Sequence, residues 1–385
     1  MVAADSSLLA AYDYLLPEAA IAQRPVEPRS AARLLVDLGG RPEHCTVADL
    51  PAVLQTGDIV VVNETKVLPA RLLLRKAGSG GRAEVLLLEP AGGDGWVALV
   101  RPARRLRPGT VLVSPADGTT PVVEVGDPVL GALKPKYGPE RPQNDEEDDG
   151  RRFVRLLDDP ERHGAIPVPP YIHEPLTDPD RYQTVYAKAP GSVASPTAGL
   201  HLTGDVLAAL AARGIEVHAV DLAIGLDTFR PISAERIADH RMHSERYRVP
   251  ATTQRACAAA RARHGRVVAV GTTTVRALES AAATGDAEGR TDLFITPGYE
   301  LKAVDVMLTN FHMPKSSLLV LLAAFAGQQR WRRLYETALA NDYRFLSFGD
   351  AMLVSRAAPA GLVSGAAPAR LVSGAAPAGL LSSER

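Results

Sequence analysis

The segment GDIVVVNETKVLPARLLLRKAGSGGRAEVLLLEP, residues 57–90, decides how this chain folds. It begins with a continuous apolar run at residues 59–62, which is typical of a strand buried on both faces. Two further apolar stretches, residues 72–76 and 83–89, are joined by GSGG, whose glycines suit the tight turn of a β-hairpin. GSGG lacks the following helix and the Lys-Ser/Thr pair of a phosphate-binding loop, which favours the hairpin.

Further short strands follow the hairpin, at residues 96–101, 110–114, 121–125 and 152–156. Short strands at regular spacing, separated by turn residues, are typical of small barrels. We therefore predict a β-barrel over residues 70–158. Within it, residues 127–150 end in DEEDDG and are predicted to form a solvated acidic loop.

The chain outside the barrel, residues 1–69 and 159–353, alternates helices with strands. Predicted helices cover residues 204–214, 252–265, 272–283, 316–327 and 329–343. Predicted strands cover residues 215–224, 266–271, 291–295 and 348–354. Because such alternation is typical of α/β proteins, we predict a mixed-sheet or open-barrel α/β main domain with the small antiparallel β-barrel inserted in it.

Composition restricts the class of protein. The chain has 385 residues, 46% of them hydrophobic, and a formal net charge of −1, so it lacks the global positive charge of many nucleic-acid binders. Two cysteines are too few for a disulfide framework or a cysteine zinc site. No secretory signal or membrane-spanning run is present, which predicts a cytoplasmic protein. Residues 354–385 repeat an alanine- and proline-rich unit and are predicted to be a disordered tail.

The long interrupted stretch at residues 167–203 is the first candidate for a functional site. It places Tyr171, Tyr182, Tyr186, Thr197 and His201 between prolines and glycines, a mixture unsuited to a core helix or strand. A loop of this length is usually functional or disordered. Because its prolines and tyrosines supply stiffness and groups that can pack, we predict an ordered binding loop.

The motif GTTTVR, residues 271–276, lies between a predicted strand and a predicted helix. Unpaired amides at such a junction can bind an anion, and Thr272, Thr273 and Arg276 would surround it. Threonines are also ordinary helix caps, and this alternative stays open.

Two further motifs carry chemically versatile residues. DHRMHSERY, residues 239–247, would place His240 and His243 on one face if it were helical, as a metal pair, an acid–base cluster or a salt-bridged surface turn. No HExxH-type spacing supplies further metal ligands, so no metal site is predicted. TNFHMPKSS, residues 309–317, leads into an apolar helix with Ser316 or Ser317 as its cap and predicts an N-terminal anion site.

Arginine clusters supply local positive charge despite the balanced total. Arg104 and Arg105 belong to one such cluster within the predicted barrel, and they predict either nucleic-acid contacts or solvated surface side chains.

Together these stretches resemble the S-adenosylmethionine:tRNA ribosyltransferase-isomerases of queuosine biosynthesis. The matching pieces include GDIVVVNETKVLPARL, RYQTVYAKAPGSVASPTAGLHLT, DHRMHSE, GTTTVRALES and DLFITPGYELKAVDVMLTNFHMPKSSLL. The resemblance extends from about Tyr12 to Leu353 and fails only at the acidic loop and the tail. One departure lies in AIGLDTF, where the family pattern HVGLGTF has histidine at Ala223 and glycine at Asp227.

The resemblance implies an α/β main domain with an inserted barrel and an unusual use of S-adenosylmethionine. Its ribosyl group is moved onto 7-aminomethyl-7-deazaguanine at the wobble position of tRNA with a GUN anticodon, and adenine and methionine are released. The expected protein needs no metal and is a monomer or weak homodimer without a membrane partner. Two rivals stay open: another S-adenosylmethionine-dependent RNA alkyltransferase or methyltransferase, and a non-catalytic tRNA-binding relative.

The resemblance also implies roles for individual residues. The candidates for proton transfer are His201, Asp239, His243 and Glu245. The candidates for binding S-adenosylmethionine are Tyr171, Tyr182, Tyr186, Thr197, Thr272, Thr273 and Arg276, the tyrosines by stacking and the last three through a carboxylate or phosphate. The candidates for substrate or RNA contacts are Asn63, Arg71, Arg104, Arg105, Asn310, His312 and Lys315.

Overall fold

The structure is a computed structural model and describes residues 5–129, 150–225 and 232–357. Most of the predicted acidic loop, Asp227 and the tail from residue 358 onward lie outside the described residues.

The described strands are β1 (Arg33–Asp37), β2 (Glu43–Thr46), β3 (Ile59–Asn63), β4 (Thr65–Val67), β5 (Arg71–Lys76), β6 (Arg82–Gly92), β7 (Gly95–Arg101), β8 (Val111–Val113), β9 (Pro121–Pro128), β10 (Arg151–Leu156), β11 (Gly164–Ala165), β12 (Ala189–Ser192), β13 (Glu216–Leu222), β14 (Glu245–Arg248), β15 (Val267–Val270), β16 (Glu288–Thr291), β17 (Val306–Asn310) and β18 (Ala351–Ser355). The described helices are α1 (Leu50–Val53), α2 (Gly204–Ala212), α3 (Ala251–Ala262), α4 (Thr272–Thr284), α5 (Ser317–Ala326) and α6 (Gln328–Ala340). None of these helices combines the length and apolar character that crossing a bilayer requires.

The main sheet is mixed, with strand order β16-β14-β13-β3-β15-β17-β18-β1-β2. At its centre β3 runs parallel to β13 and β15, and all five of its residues are buried. Side chains of β3 alternate between two cores, so Val61 packs in the core that also holds α5 and α6, whereas Val60 and Val62 pack with α2. A strand covered on both faces needs a continuous apolar run, which is why residues 59–62 predicted it correctly.

The second sheet closes into a six-stranded antiparallel barrel. The barrel strands follow the order β5-β6-β7-β10-β9-β8, the pairing of β8 with β5 joins the two ends, and β11 adds a seventh strand by pairing with β5. The predicted hairpin is present, since β5 and β6 pair antiparallel and Gly78 and Gly80 take positive φ angles of 77° and 68° in the turn. The predicted fold, an α/β protein with an inserted small antiparallel barrel, is confirmed. Domain limits at residues 70 and 158 stay a prediction.

One local prediction is wrong. The strand expected at residues 291–295 ends at Thr291, because the Thr291 hydroxyl accepts a hydrogen bond from the Leu293 amide at 3.1 Å and turns the chain off the sheet edge. The segment that contains His240 and His243 is not helical, because the chain leaves a short turn at Ile237–Asp239 and extends into β14, so the shared helix face considered above does not form.

Candidate active site

A cavity lies beyond the carboxyl ends of β15 and β17, which are parallel neighbours in the sheet. Such an edge is where α/β proteins commonly bind ligands. Most of its wall comes from four segments, residues 195–198, 271–273, 309–313 and 346–347, and the rest comes from Tyr171, Ile224, Ser316 and Leu318. With its open mouth and the adjoining solvent included, the cavity encloses about 710 Å³ of empty space.

Six of the predicted site residues line this cavity. They are Tyr171, Thr197, Thr272, Thr273, Asn310 and His312. They come from the predicted binding loop, the GTTTVR motif and the TNFHMPKSS motif, so three segments far apart in sequence meet at one place. These six residues therefore share one cavity, whereas Tyr182, His201, Arg276 and Lys315 do not line it.

Asn310 connects the cavity to His201 behind it. The Thr197 hydroxyl donates to Asn310 Oδ1 at 3.0 Å, and Asn310 Nδ2 donates to the Leu346 carbonyl at 3.2 Å. The same Nδ2 lies 3.1 Å from His201 Nε2. Because an amide nitrogen only donates, His201 Nε2 is the acceptor and carries no proton.

His201 itself is buried and does not line the main cavity. Burial, with smaller contributions from the positive charges of Arg344 and Arg29, lowers the pKa of His201 to about 4. His201 is therefore neutral at physiological pH and is connected to the cavity through Asn310.

His312 lines the cavity directly. Its Nε2 lies 2.9 Å from the Thr309 hydroxyl, and its backbone amide donates to the Tyr335 hydroxyl at 2.7 Å. Burial lowers the pKa of His312 to about 3, which keeps the imidazole neutral. A neutral imidazole can hydrogen-bond a substrate, but a pKa this low makes it a weak general base.

Asn63 is buried at the end of β3, one layer behind the cavity. Its Oδ1 accepts from the amides of Leu222 and Thr65, at 3.1 and 3.2 Å. Its Nδ2 donates to the Leu222 carbonyl at 3.0 Å and to the Thr273 hydroxyl at 3.3 Å. The predicted RNA contact of Asn63 has no support, because this side chain instead joins β3 to β13 and orients a cavity threonine.

Glu245 and Arg276 form a buried ion pair outside the cavity. Glu245 also accepts a hydrogen bond from the Gly225 amide at 3.1 Å, and Arg276 Nε donates to the Leu293 carbonyl at 3.1 Å. The two side chains thus hold the end of β13 and the segment after β16. Neither side chain lines the cavity, and the buried Nη2 of Arg276 has no hydrogen-bond partner among the described residues, so proton transfer by Glu245 and anion binding by Arg276 stay predictions.

Tyr182 and Tyr186 also lie outside the cavity. Tyr182 is fully buried beside Phe348, with ring centroids 6.0 Å apart. Tyr186 packs against the turn that contains Gly199. Packing, rather than stacking on a base, is what both positions support.

The remaining predicted residues lie on the surface. Asp239 and His243 are exposed and do not line the cavity. Lys315 pairs with Asp13 at 2.8 Å next to the cavity wall, without lining it.

Ser316 caps α5 as predicted, since its hydroxyl accepts from the Leu319 amide at 3.2 Å.

Three predicted RNA contacts lie on the barrel, away from the cavity. Arg71 Nε donates to Glu84 Oε1 at 2.8 Å, which occupies part of its guanidinium. Arg104 and Arg105 are exposed on a short turn, Ala103–Arg105.

Sequence reasoning missed several residues of the cavity wall. Ser195 lines it, and its buried Oγ has no hydrogen-bond partner among the described residues. Ser347 also lines it, and its hydroxyl lies 2.7 Å from that of Tyr171. Ser195 could have been found from its place two residues before Thr197, whereas FLSFGD contains no comparable signal for Ser347.

Residues 9–354 match the sequence profile of a family described as "Queuosine biosynthesis protein". The chain belongs to this family. Among curated proteins, the S-adenosylmethionine:tRNA ribosyltransferase-isomerase of Symbiobacterium thermophilum is 48% identical over 352 residues, covering 90% of this chain and 99% of the relative. The Rubrobacter xylanophilus protein of the same name is 49% identical over 348 residues, covering 89% and 96%.

A solved structure agrees with this placement among the queuosine biosynthesis proteins. The crystal structure of S-adenosylmethionine tRNA ribosyltransferase from Thermotoga maritima, at 2.00 Å resolution, is 36% identical. It aligns with a TM-score of 0.50 over 89% of this chain and 99% of that one. The predicted family is confirmed, and its match contains every segment of the cavity wall as well as the barrel strands.

Proposed function

We propose that this protein transfers and isomerises the ribosyl group of S-adenosylmethionine onto 7-aminomethyl-7-deazaguanine at the wobble position of tRNA. The products are epoxyqueuosine in tRNA, adenine and methionine. The observation that carries this proposal is the 48% identity over 352 residues, covering 90% of this chain, with a ribosyltransferase-isomerase.

The cavity fits a sulfonium nucleoside. Ile224, Phe311 and Leu318 supply apolar wall for the nucleoside, whereas the hydroxyls of Thr197 and Thr273 supply polar groups. The unpartnered Oγ of Ser195 adds a buried group that gains a hydrogen bond when a polar ligand enters. When bound, S-adenosylmethionine supplies the ribosyl group and two leaving groups.

The residues of this chain bind and orient the reactants. His312, neutral and next to Thr309, is placed to hydrogen-bond the substrate, the role predicted for it. Asn310 positions Thr197 and is itself held by His201 and the Leu346 carbonyl. We therefore infer that His201 positions Asn310 rather than transfers a proton.

The tRNA supplies the second reactant. A wobble base must leave its loop to enter a cavity, and exposed Arg104 and Arg105 on the barrel are suited to phosphates further along the RNA. We assign tRNAs with GUN anticodons as substrates, the cytoplasm as the location, and a monomer or weak homodimer as the active form.

The test is incubation of the protein with S-adenosylmethionine and tRNA carrying the aminomethyl-deazaguanine, followed by mass analysis of nucleosides and small molecules. We expect an added epoxycyclopentanediol together with free adenine and methionine. The same tRNA with unmodified guanine is the control and should remain unchanged. Release of S-adenosylhomocysteine would instead indicate methyl transfer and overturn the proposal.

A further inference from the structure

Two threonines of the cavity are hydrogen-bonded to asparagines. Each asparagine determines whether the threonine hydroxyl donates or accepts a hydrogen bond toward the cavity. Building on the function proposed above, we propose that Thr197 and Thr273 bind the amino-acid arm of S-adenosylmethionine. Thr197 accepts a hydrogen bond from the arm's ammonium group, and Thr273 donates one to its carboxylate.

The direction at Thr197 follows from Asn310. The Leu346 carbonyl can only accept, so the Asn310 atom 3.2 Å from it must be the amide nitrogen. The other terminal atom, 3.0 Å from Thr197 Oγ1, is then the amide oxygen. Because that oxygen takes the hydroxyl hydrogen of Thr197, only lone pairs of Thr197 Oγ1 are left for a ligand. Thr197 is therefore an acceptor toward the cavity.

The direction at Thr273 is the opposite, and Asn63 sets it. The Leu222 amide must donate to Asn63 Oδ1, and the Leu222 carbonyl must accept from Asn63 Nδ2, at 3.1 and 3.0 Å. Nδ2 therefore donates to Thr273 Oγ1 at 3.3 Å. Within the described part of the chain, the hydroxyl hydrogen of Thr273 has no acceptor of its own. Thr273 is therefore a donor toward the cavity.

The two threonine segments are close enough to serve one small group. A Cβ added at Gly271 would lie 3.7 Å from Ala198 Cβ, next to Thr197, and 3.6 Å from Thr273 Oγ1. An amino-acid arm carries a hydrogen-bond donor and an acceptor on a single carbon. Its ammonium and carboxylate therefore match an acceptor and a donor presented by adjoining segments.

The start of α4 favours the carboxylate near Thr273, and Ser195 adds a further polar group to the same cavity. The first turn of α4 starts at Gly271 without a side-chain cap, which leaves backbone amides and the positive end of the helix dipole facing this region. The buried Oγ of Ser195, on the same cavity wall, lacks a partner among the described residues. No described Asp, Glu, Lys or Arg lines the cavity to compete for either end of the arm.

The experiment measures binding of three ligands by calorimetry: S-adenosylmethionine, its decarboxylated analogue, and the analogue that lacks the amino group. Thr273→Val should weaken S-adenosylmethionine about tenfold or more, as expected for a lost hydrogen bond to a charged group, but leave the decarboxylated analogue within about twofold of wild type. Thr197→Val should weaken S-adenosylmethionine and the decarboxylated analogue, but not the analogue without the amino group.

Controls separate this pattern from general damage. Thr337→Val makes the same chemical change at a half-buried threonine of α6 that does not line the cavity, and it should alter none of the three affinities. Thr197→Ser and Thr273→Ser keep the hydroxyls and should retain tight binding. If a valine variant does not fold, the serine variants still test the assignment. They should keep the wild-type order of affinities for the three ligands, and loss of that order would overturn the assignment.

Equal weakening of all three ligands by either valine variant, or the reversed pattern, would overturn the assignment. The nucleoside assay on the same wild-type sample separates the two proposals. Product formation with the wrong ligand pattern would overturn only the roles of the threonines. A wild-type protein that binds none of the ligands and forms no product would overturn the proposed function as well.

Discussion

Asn310 Nδ2 lies 3.1 Å from His201 Nε2, and this contact joins a residue of the cavity wall to a histidine outside it. A histidine first predicted to transfer protons thereby becomes the support of an asparagine. Asn310 requires only a hydrogen-bond acceptor at this position. A neutral imidazole provides one, so this role of His201 does not depend on its ability to take up a proton.

The first prediction concerns this support. His201→Ala removes the acceptor and leaves a buried amide hydrogen of Asn310 unpaired, which costs about 1–3 kcal/mol. We expect turnover to fall about tenfold or more. His201→Gln offers an amide oxygen and should recover much of the loss in steady-state assays. A positioning role would be wrong if His201→Gln were as inactive as expected for the loss of a proton-transfer group and if one ionisation disappeared from the profile of activity against pH.

The second prediction concerns pH. The pKa values of His201 and His312 lie at about 4 and about 3 in the folded protein, below the ordinary value of 6.5. As pH falls below 6.5 the unfolded chain takes up protons first, so the free energy of unfolding decreases until each folded pKa is reached. Between pH 7.5 and 5 the loss should be about 2 kcal/mol per histidine.

Urea unfolding of the wild type and of His201→Gln across this pH range measures that loss. The variant should show the smaller dependence, whatever its stability at pH 7.5. Parallel curves for the two proteins would contradict the prediction.

The third prediction concerns the buried ion pair. Glu245→Gln leaves Arg276 charged in a buried site and should lower the free energy of unfolding by about 3–5 kcal/mol. The double variant Glu245→Leu/Arg276→Met removes both charges and should be more stable than either single variant. Glu89→Gln, in an exposed pair with Arg290, is the matched control and should cost less than about 1 kcal/mol. Denaturant midpoints measure these changes in stability. If the effects of the single changes at Glu245 and Arg276 simply added up in the double variant, the two residues would not be coupled and the prediction would be wrong.

The fourth prediction concerns the turn Thr197–His201. A Cβ added at Gly199 would lie 2.0 Å from the Tyr186 hydroxyl, whereas one at Gly204 would meet nothing within 4 Å. Gly199→Ala should displace the turn, lower stability by about 1–3 kcal/mol and reduce activity. Gly204→Ala, in the first turn of α2, should be neutral or slightly stabilising. Thermal unfolding and turnover of both variants provide the comparison, and equal behaviour would show that the close approach is relieved without cost.

The fifth prediction concerns RNA. Binding of tRNA should weaken as salt rises, because phosphate contacts release counterions. The Arg104→Gln/Arg105→Gln variant should bind more weakly, and its salt slope should be smaller by about one for each phosphate that an arginine no longer neutralises. Arg255→Gln, an exposed arginine on α3, is the control. A flat salt response of the wild type would remove phosphate binding from the proposed function.

Local patterns predicted much of the fold correctly. The apolar run at residues 59–62 and the GSGG turn correspond to β3 and to the β5–β6 hairpin. Both are short-range signals, set by burial and by backbone conformations that neighbouring residues determine. The same logic failed at residues 291–295, where the Thr291 hydroxyl ends the strand by a side-chain hydrogen bond that strand propensity does not include.

By itself, the sequence determined the α/β class, the inserted barrel, the family resemblance and three motifs that meet at the cavity. Only the tertiary structure decided which polar side chains face that cavity and in which direction they hydrogen-bond. Asn310 and His201 are 109 residues apart, and Asn63 and Thr273 are 210 apart. Such pairs depend on strand order and on the packing of whole segments. No local sequence pattern therefore predicts whether Arg276 binds a ligand or pairs with Glu245.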